Sequence, residues 1–142
     1  MYDLLIIGGG PAGLTAAVYA ARKKLNTLLL SKDLGGQPNW TTRVENYMGY
    51  QFIEGSELMQ KFEEQVKQFP VELKIGQSIS RISRANGIFE AITEKGEKYQ
   101  AKTAIIATGK RPRPLNVPGE QKFIGRGVTY CAICDGPLFR GK

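Results

Sequence analysis

Histidine is absent from this sequence, cysteine occurs twice and tryptophan once. Without an imidazole, a Ser-His-Asp triad, a Cys-His pair and any histidine-containing metal site are excluded, so a proton donor has to be Asp, Glu, Lys, Tyr or Cys. Two cysteines also fall short of the about four Cys or His ligands of a structural zinc site. No stretch approaches the ~18 consecutive apolar residues of a membrane helix, and Met1-Tyr2-Asp3 lacks the basic start of a signal peptide. These absences lead to the expectation of a cytoplasmic protein with no metal and no membrane partner.

What is present suits a globular domain, since 142 residues fit one ordinary unit and 42% hydrophobic content supplies a core. Basic residues outnumber acidic ones by 20 to 13, a net charge of +7. They are scattered, apart from the group Lys110-Arg111-Pro112-Arg113, and no basic run is interleaved with aromatics as single-strand nucleic-acid binders require. A solvated basic surface is therefore expected, with attraction of a phosphorylated cofactor or an acidic protein as the next use and no nucleic-acid partner.

The apolar run over 2–7 reads as a buried strand, 11–24 as a helix with Leu14, Ala17, Val18 and Ala21 at helical spacing, and 27–30 as a second strand. Strand, helix and strand make a βαβ unit with parallel strands and a right-handed crossover. Residues 31–53 read as a long irregular loop, a feature more often functional than idle. A helix follows over 56–69, capped by Glu54 or Ser56 and ended by Pro70. Short strands are expected over 71–75, 78–83 and 88–93, with Asn86-Gly87 in a hairpin turn, then a strand from Tyr99 and an apolar run over 104–107. Residues 110–118 carry three prolines and resemble a linker.

Between the first strand and helix stands GGGPAG, residues 8–13, which fits G-x-G-x-x-G. Its glycines permit a tight turn, let the backbone approach a pyrophosphate and allow close helix–strand packing, while the helix N-terminus accepts the phosphate charge. The pattern alone is weak and an ordinary glycine turn stays open; its place between strand and helix favours a dinucleotide site. An acidic residue is expected ~20 positions on to hold the ribose, but Ser31-Lys32-Asp33 stands there. Ser31 could hydrogen-bond a ribose and Lys32 would suit the 2′-phosphate of NADP, which keeps an NADP-binding domain open. Gly35-Gly36-Gln37, Asn46 and Thr108-Gly109 lie on loops expected at the carboxyl ends of parallel strands, and as an ordered set they favour a flavin.

Cys131 and Cys134 form Cys-Ala-Ile-Cys, followed by Asp135. A scaffold disulfide would suit a secreted protein and two unrelated buried thiols remain possible. A cytosolic Cys-x-x-Cys can instead cycle between dithiol and disulfide, one thiolate attacking a partner's disulfide and the second resolving the mixed disulfide. Asp135 is then the nearest side chain able to move a proton to or from a departing thiolate.

Taken in order, LLIIGGGPAGLTAAVYAAR, GGQ, VENY, AIIATG, VPGE and GVTYCAICDGPLFRGK resemble the low-molecular-weight thioredoxin reductases and the related flavoprotein component of alkyl hydroperoxide reductase. The resemblance covers essentially the whole chain. It implies an α/β, Rossmann-like FAD-binding fold, incomplete here, with a parallel sheet and a small antiparallel β-layer. It implies a homodimer moving electrons from NADPH through FAD to the Cys131–Cys134 disulfide and on to thioredoxin or a similar dithiol protein. By position, Cys134 would lie nearest the flavin, Cys131 would attack the protein substrate and Asp135 would be the acid. Gly8, Gly10, Pro11, Ala12 and Gly13 would hold the pyrophosphate. Ser31 occupies the ribose position, Gly36, Gln37 and Asn46 would lie near the flavin, Ile82 would touch the cofactor, and Thr108 and Gly109 would close the site.

The family pattern continues with a second glycine-rich unit for NADPH and a segment that completes the FAD domain. The expectation is accordingly a first FAD-domain segment over 1–113, and over 114–142 a linker and the start of an NADPH domain carrying the two cysteines. A non-catalytic flavin-binding module and an NADP-binding domain are the alternatives.

Overall fold

The apolar N-terminal run forms β1 (Tyr2–Gly9), and Pro11, whose fixed φ suits a first helical position, opens α1 (Pro11–Arg22). After β2 (Thr27–Leu34) come a 3-10 turn (Gln37–Trp40) and α2 (Gly55–Lys67). Four further strands follow, β3 (Glu72–Ile75), β4 (Ile79–Ala85), β5 (Ile88–Thr93) and β6 (Lys98–Ile106). Two short helices, α3 (Glu120–Phe123) and α4 (Ala132–Asp135), and a 3-10 turn (Gly136–Phe139) complete the order. This computed structural model describes residues 1–141, with the side chains of Ile133, Cys134 and Leu138 outside the description. The chain divides into one unit over Met1–Gly109 and another over Lys110–Lys142.

The six strands of the first unit stand in the order β3-β2-β1-β6-β5-β4. β1 runs parallel to β2 and β6, β2 runs parallel to β3, and β5 is antiparallel to both neighbours. This is the expected α/β architecture of parallel strands with an antiparallel layer. β6 belongs to both parts, because Ala101 faces Tyr2 in the parallel ladder and Phe89 in the antiparallel one.

Alternation along β1 sorts its side chains between two cores. Leu4 and Ile6, with Leu29 of β2, pack against Leu14, Ala17 and Ala20 of α1 and Val66 of α2. Leu5 and Ile7, with Leu28 and Leu30, pack on the opposite face against Ala91 and Ala101, with Ile79, Ile82 and Tyr99 at the margin. Helices therefore cover one face and the hairpin folds over the other. Its turn takes positive φ at Asn86 (51°) and Gly87 (79°), the pair of left-handed residues that a tight two-residue hairpin demands.

β1 and β4 each run two residues past the C-terminal bound that the sequence pattern indicates, and β2 and β6 depart from it more. β2 continues beyond residue 30 to Leu34, held by the Gly35 amide on Gly9 O at 2.8 Å and the Gln77 amide on Ser31 O at 2.9 Å. β6 is one strand rather than two pieces. Its polar residues 102 and 103 serve Asp3, Lys102 through its carboxylate and Thr103 through its carbonyl, each at 2.7 Å.

Candidate functional site

The first unit gathers three loops at the carboxyl ends of β1, β2 and β6. Gly8, at φ 111°, lies so close to the end of β6 that an added Cβ would meet Ala107 O at 2.2 Å and Thr108 N at 3.1 Å. Gly13 is equally confined, since its Cβ would fall 1.9 Å from Gly8 O. These two glycines let α1 and β6 close on the end of β1. Gly36, also at positive φ, comes over from the β2 loop, its Cβ position 3.5 Å from Gly10 Cα.

Gly10 differs, because nothing stands within 4 Å of the Cβ position and its φ is an ordinary −79°. Space is left above it. No side chain caps α1, and Pro11 lacks an amide hydrogen, so the first-turn amides of Ala12 and Gly13 are left by helix geometry for an incoming acceptor. A cradle of backbone donors at a positive helix end, uncrowded by side chains, fits a pyrophosphate such as that of FAD. Gly10, Ala12 and Gly13 would hold it there.

Ser31 is buried in this assembly. Its hydroxyl accepts from the Gly9 amide at 2.8 Å and donates to Asp33 O at 2.5 Å, so it braces the glycine loop against the β2 terminus. Lys32 and Asp33 are exposed beside it. Gln37 is half-buried in the 3-10 turn, and Thr108 and Gly109 lie just beyond β6, both exposed. Asn46 is exposed in the loop closed by the Val44–Ile53 bridge, and Ile82 pairs with Ala91 in the antiparallel layer.

The second unit holds the dithiol sequence. Cys131 and Asp135 are half-buried at the two ends of one helical turn, where the Asp135 amide donates to Cys131 O at 3.0 Å. The Cys134 side chain lies outside the described residues. Three groups that the sequence pattern does not single out organise the turn. Thr129 Oγ1 accepts from the Cys131 amide at 3.0 Å and donates to the Asp135 carboxylate. Glu120, 5% exposed, accepts from the amides of Leu115 and Asn116 at 2.8 and 2.7 Å and from the Tyr130 hydroxyl. It thereby ties the proline-rich segment to the stretch before Cys131. The only signal for these roles is their presence in VPGE and GVTYC, since neither spacing says which groups would meet.

Among the described residues no group of three or more His, Cys, Asp or Glu could hold a metal, and no helix is long and apolar enough to cross a membrane.

A nucleotide-type α/β sheet with a glycine cradle, together with a Cys-x-x-Cys turn, defines the class of flavin- and nucleotide-linked disulfide oxidoreductases. The chain belongs to the pyridine nucleotide-disulphide oxidoreductase family, whose pattern matches residues 2–141. It is 46% identical to a component of the alkyl hydroperoxide reductase of Pseudomonas putida, over 99% of its own length and 28% of that protein. It is 43% identical to thioredoxin reductase of Bacillus subtilis, covering all of this chain and 45% of the relative. Among solved structures, thioredoxin reductase from Streptococcus pyogenes superposes with a TM-score of 0.84 at 48% identity, over 99% of this chain and 45% of that one. The chain thus spans less than half the length of these relatives.

Proposed function

We propose that the chain is the FAD-binding and dithiol-bearing part of an enzyme that passes electrons from NADPH through FAD to Cys131 and Cys134, and on to thioredoxin or a related dithiol protein. The observation that carries this reading is the open cradle at Gly10, with unshared helix-end amides below it, in a family defined by pyridine nucleotide and disulfide chemistry. FAD, when bound, supplies a two-electron carrier for the dithiol. Gly8, Pro11 and Gly13 shape the pyrophosphate site, Gly10 and Ala12 line it, Ser31 sets the loop, and Gly36, Gln37, Asn46, Ile82, Thr108 and Gly109 surround the rest of the cofactor.

At the dithiol, the Cys131 thiolate attacks one sulfur of the partner's disulfide, breaking that bond and releasing one partner thiolate. The Cys134 thiolate then attacks the Cys131 sulfur, forming the intrachain disulfide and releasing the second. Two electrons pass to the partner, and Asp135 carries one of the two protons that follow. Residues 1–113 act as the first FAD-domain segment and 114–142 lead into the nucleotide domain. In this reading the whole protein works as a cytoplasmic homodimer, and its NADPH site is not among residues 1–142.

The visible spectrum of the purified, desalted chain tests the cofactor assignment. Flavin bands are expected; a colourless protein that gains thermal stability with NADPH and none with FAD would replace this reading by an NADP-binding domain. Cys134→Ser is expected to keep FAD binding and abolish dithiol exchange, measured by thiol titration after flavin reduction. Flavin binding with no exchange in the unaltered chain would instead identify a non-catalytic flavin module.

A further inference from the structure

The hydroxyl group of Thr129 has one proton to give and lone pairs to accept with. It accepts from the Cys131 amide at 3.0 Å and lies within reach of two acceptors, Cys131 O at 3.3 Å and the Asp135 carboxylate, which is nearer. One proton serves one acceptor at a time. The carboxylate, charged and closer, takes it, and Cys131 O is already supplied by the Asp135 amide at 3.0 Å. The result is a closed ring of three residues, Thr129 to Asp135 to Cys131 and back to Thr129, each of them half-buried.

We infer that Thr129 is a positioning residue for the dithiol, its hydroxyl locking the Asp135 carboxylate to the Cys131 main chain in either protonation state of the acid. This rests on the reading of Cys131 and Cys134 as a redox pair. With Asp135 ionised, the Thr129 proton sits on the carboxylate. With Asp135 protonated, the acid donates to Thr129 Oγ1 and the threonine proton turns to Cys131 O, which lies in reach. Neither state leaves a half-buried polar group of the ring unpaired, so Asp135 can take up and return a proton without the turn rearranging. A valine has the same shape and can do neither.

The test uses the full 142-residue chain, reduced and freed of small thiols, then mixed with oxidised glutathione. In this reaction each glutathione half leaves as a thiol, two electrons leave the chain, and the Cys131–Cys134 bond forms. Oxidation is followed by acid quench, alkylation and mass spectrometry. Thr129→Val is expected to slow it about tenfold, the scale of one lost hydrogen bond to a charged group, and Thr129→Ser to stay within about twofold of the unaltered chain. Thr129→Val added to Asp135→Asn should cost nothing further, because two residues acting through one contact are not additive.

Full rate in Thr129→Val, or losses that multiply in the double variant, would overturn the inference. If Thr129→Val loses its far-ultraviolet circular dichroism, Thr129→Ala takes its place in the cycle; loss of fold in both assigns the hydroxyl to structure alone and overturns it too. An unaltered chain that forms no intrachain disulfide refutes the redox pair itself, an outcome distinct from a cycling dithiol indifferent to Thr129.

Discussion

A methyl group at Gly13 would fall 1.9 Å from Gly8 O, while one at Gly10 would meet nothing within 4 Å. The same residue type therefore serves packing at one position and leaves open space at the other, which the proposed reading assigns to ligand approach. Gly13→Ala is expected to cost on the order of 2 kcal/mol in urea unfolding, the usual scale of overpacking against a backbone. Gly10→Ala should leave that stability within about 0.5 kcal/mol and weaken FAD binding at least about tenfold, as read by flavin fluorescence titration. Ser31 carries its own prediction. Ser31→Ala removes the acceptor of the buried Gly9 amide, and the unfolding midpoint should fall by an amount equivalent to roughly 1–3 kcal/mol.

Among the elements, β6 joins the two parts of the sheet. Its N-terminal half pairs with β5 and its C-terminal half with β1, and both ladders meet at the fully buried Ala101. A small side chain is needed where the hairpin folds back over the parallel strands. Ala101→Leu is expected to destabilise the first unit by about 1–3 kcal/mol, read by chemical unfolding, whereas Gln100→Leu on the exposed face should change little. The sequence pattern cuts β6 in two because Lys102 and Thr103 interrupt its apolar run, and their partner, Asp3, is about a hundred residues away in the chain.

For the whole molecule, electrostatics add a pH dependence at the edge of the β1–β6 ladder. The Lys102 ammonium, and then the Asn26 amide, hold the Asp3 carboxyl below its ordinary value of 3.8. A carboxylate depressed in the folded state adds stability that is fully present above the unfolded value and is lost as pH falls through the lower folded one. Asp3→Asn should therefore lose no more stability at neutral pH than an exposed pair warrants, and should flatten the stability curve below about pH 4 in acid titration followed by circular dichroism. Raised salt should shrink the same difference.

Glycine spacing at 8, 10 and 13, Pro11 and the Asn86-Gly87 turn were legible in the sequence, because each is a local demand that few residues can satisfy. The α/β order of elements followed from periodicity, and the family from the order of its motifs. Which glycine packs and which lies open depended on how closely β6 and α1 approach β1. Likewise, the bracing role of Ser31, the buried Glu120 and the Thr129–Asp135–Cys131 ring depend on which donors and acceptors meet. Spacing along the chain carries no information about such meetings, since a hydroxyl or carboxylate is interchangeable with its solvated self until folding removes the water around it.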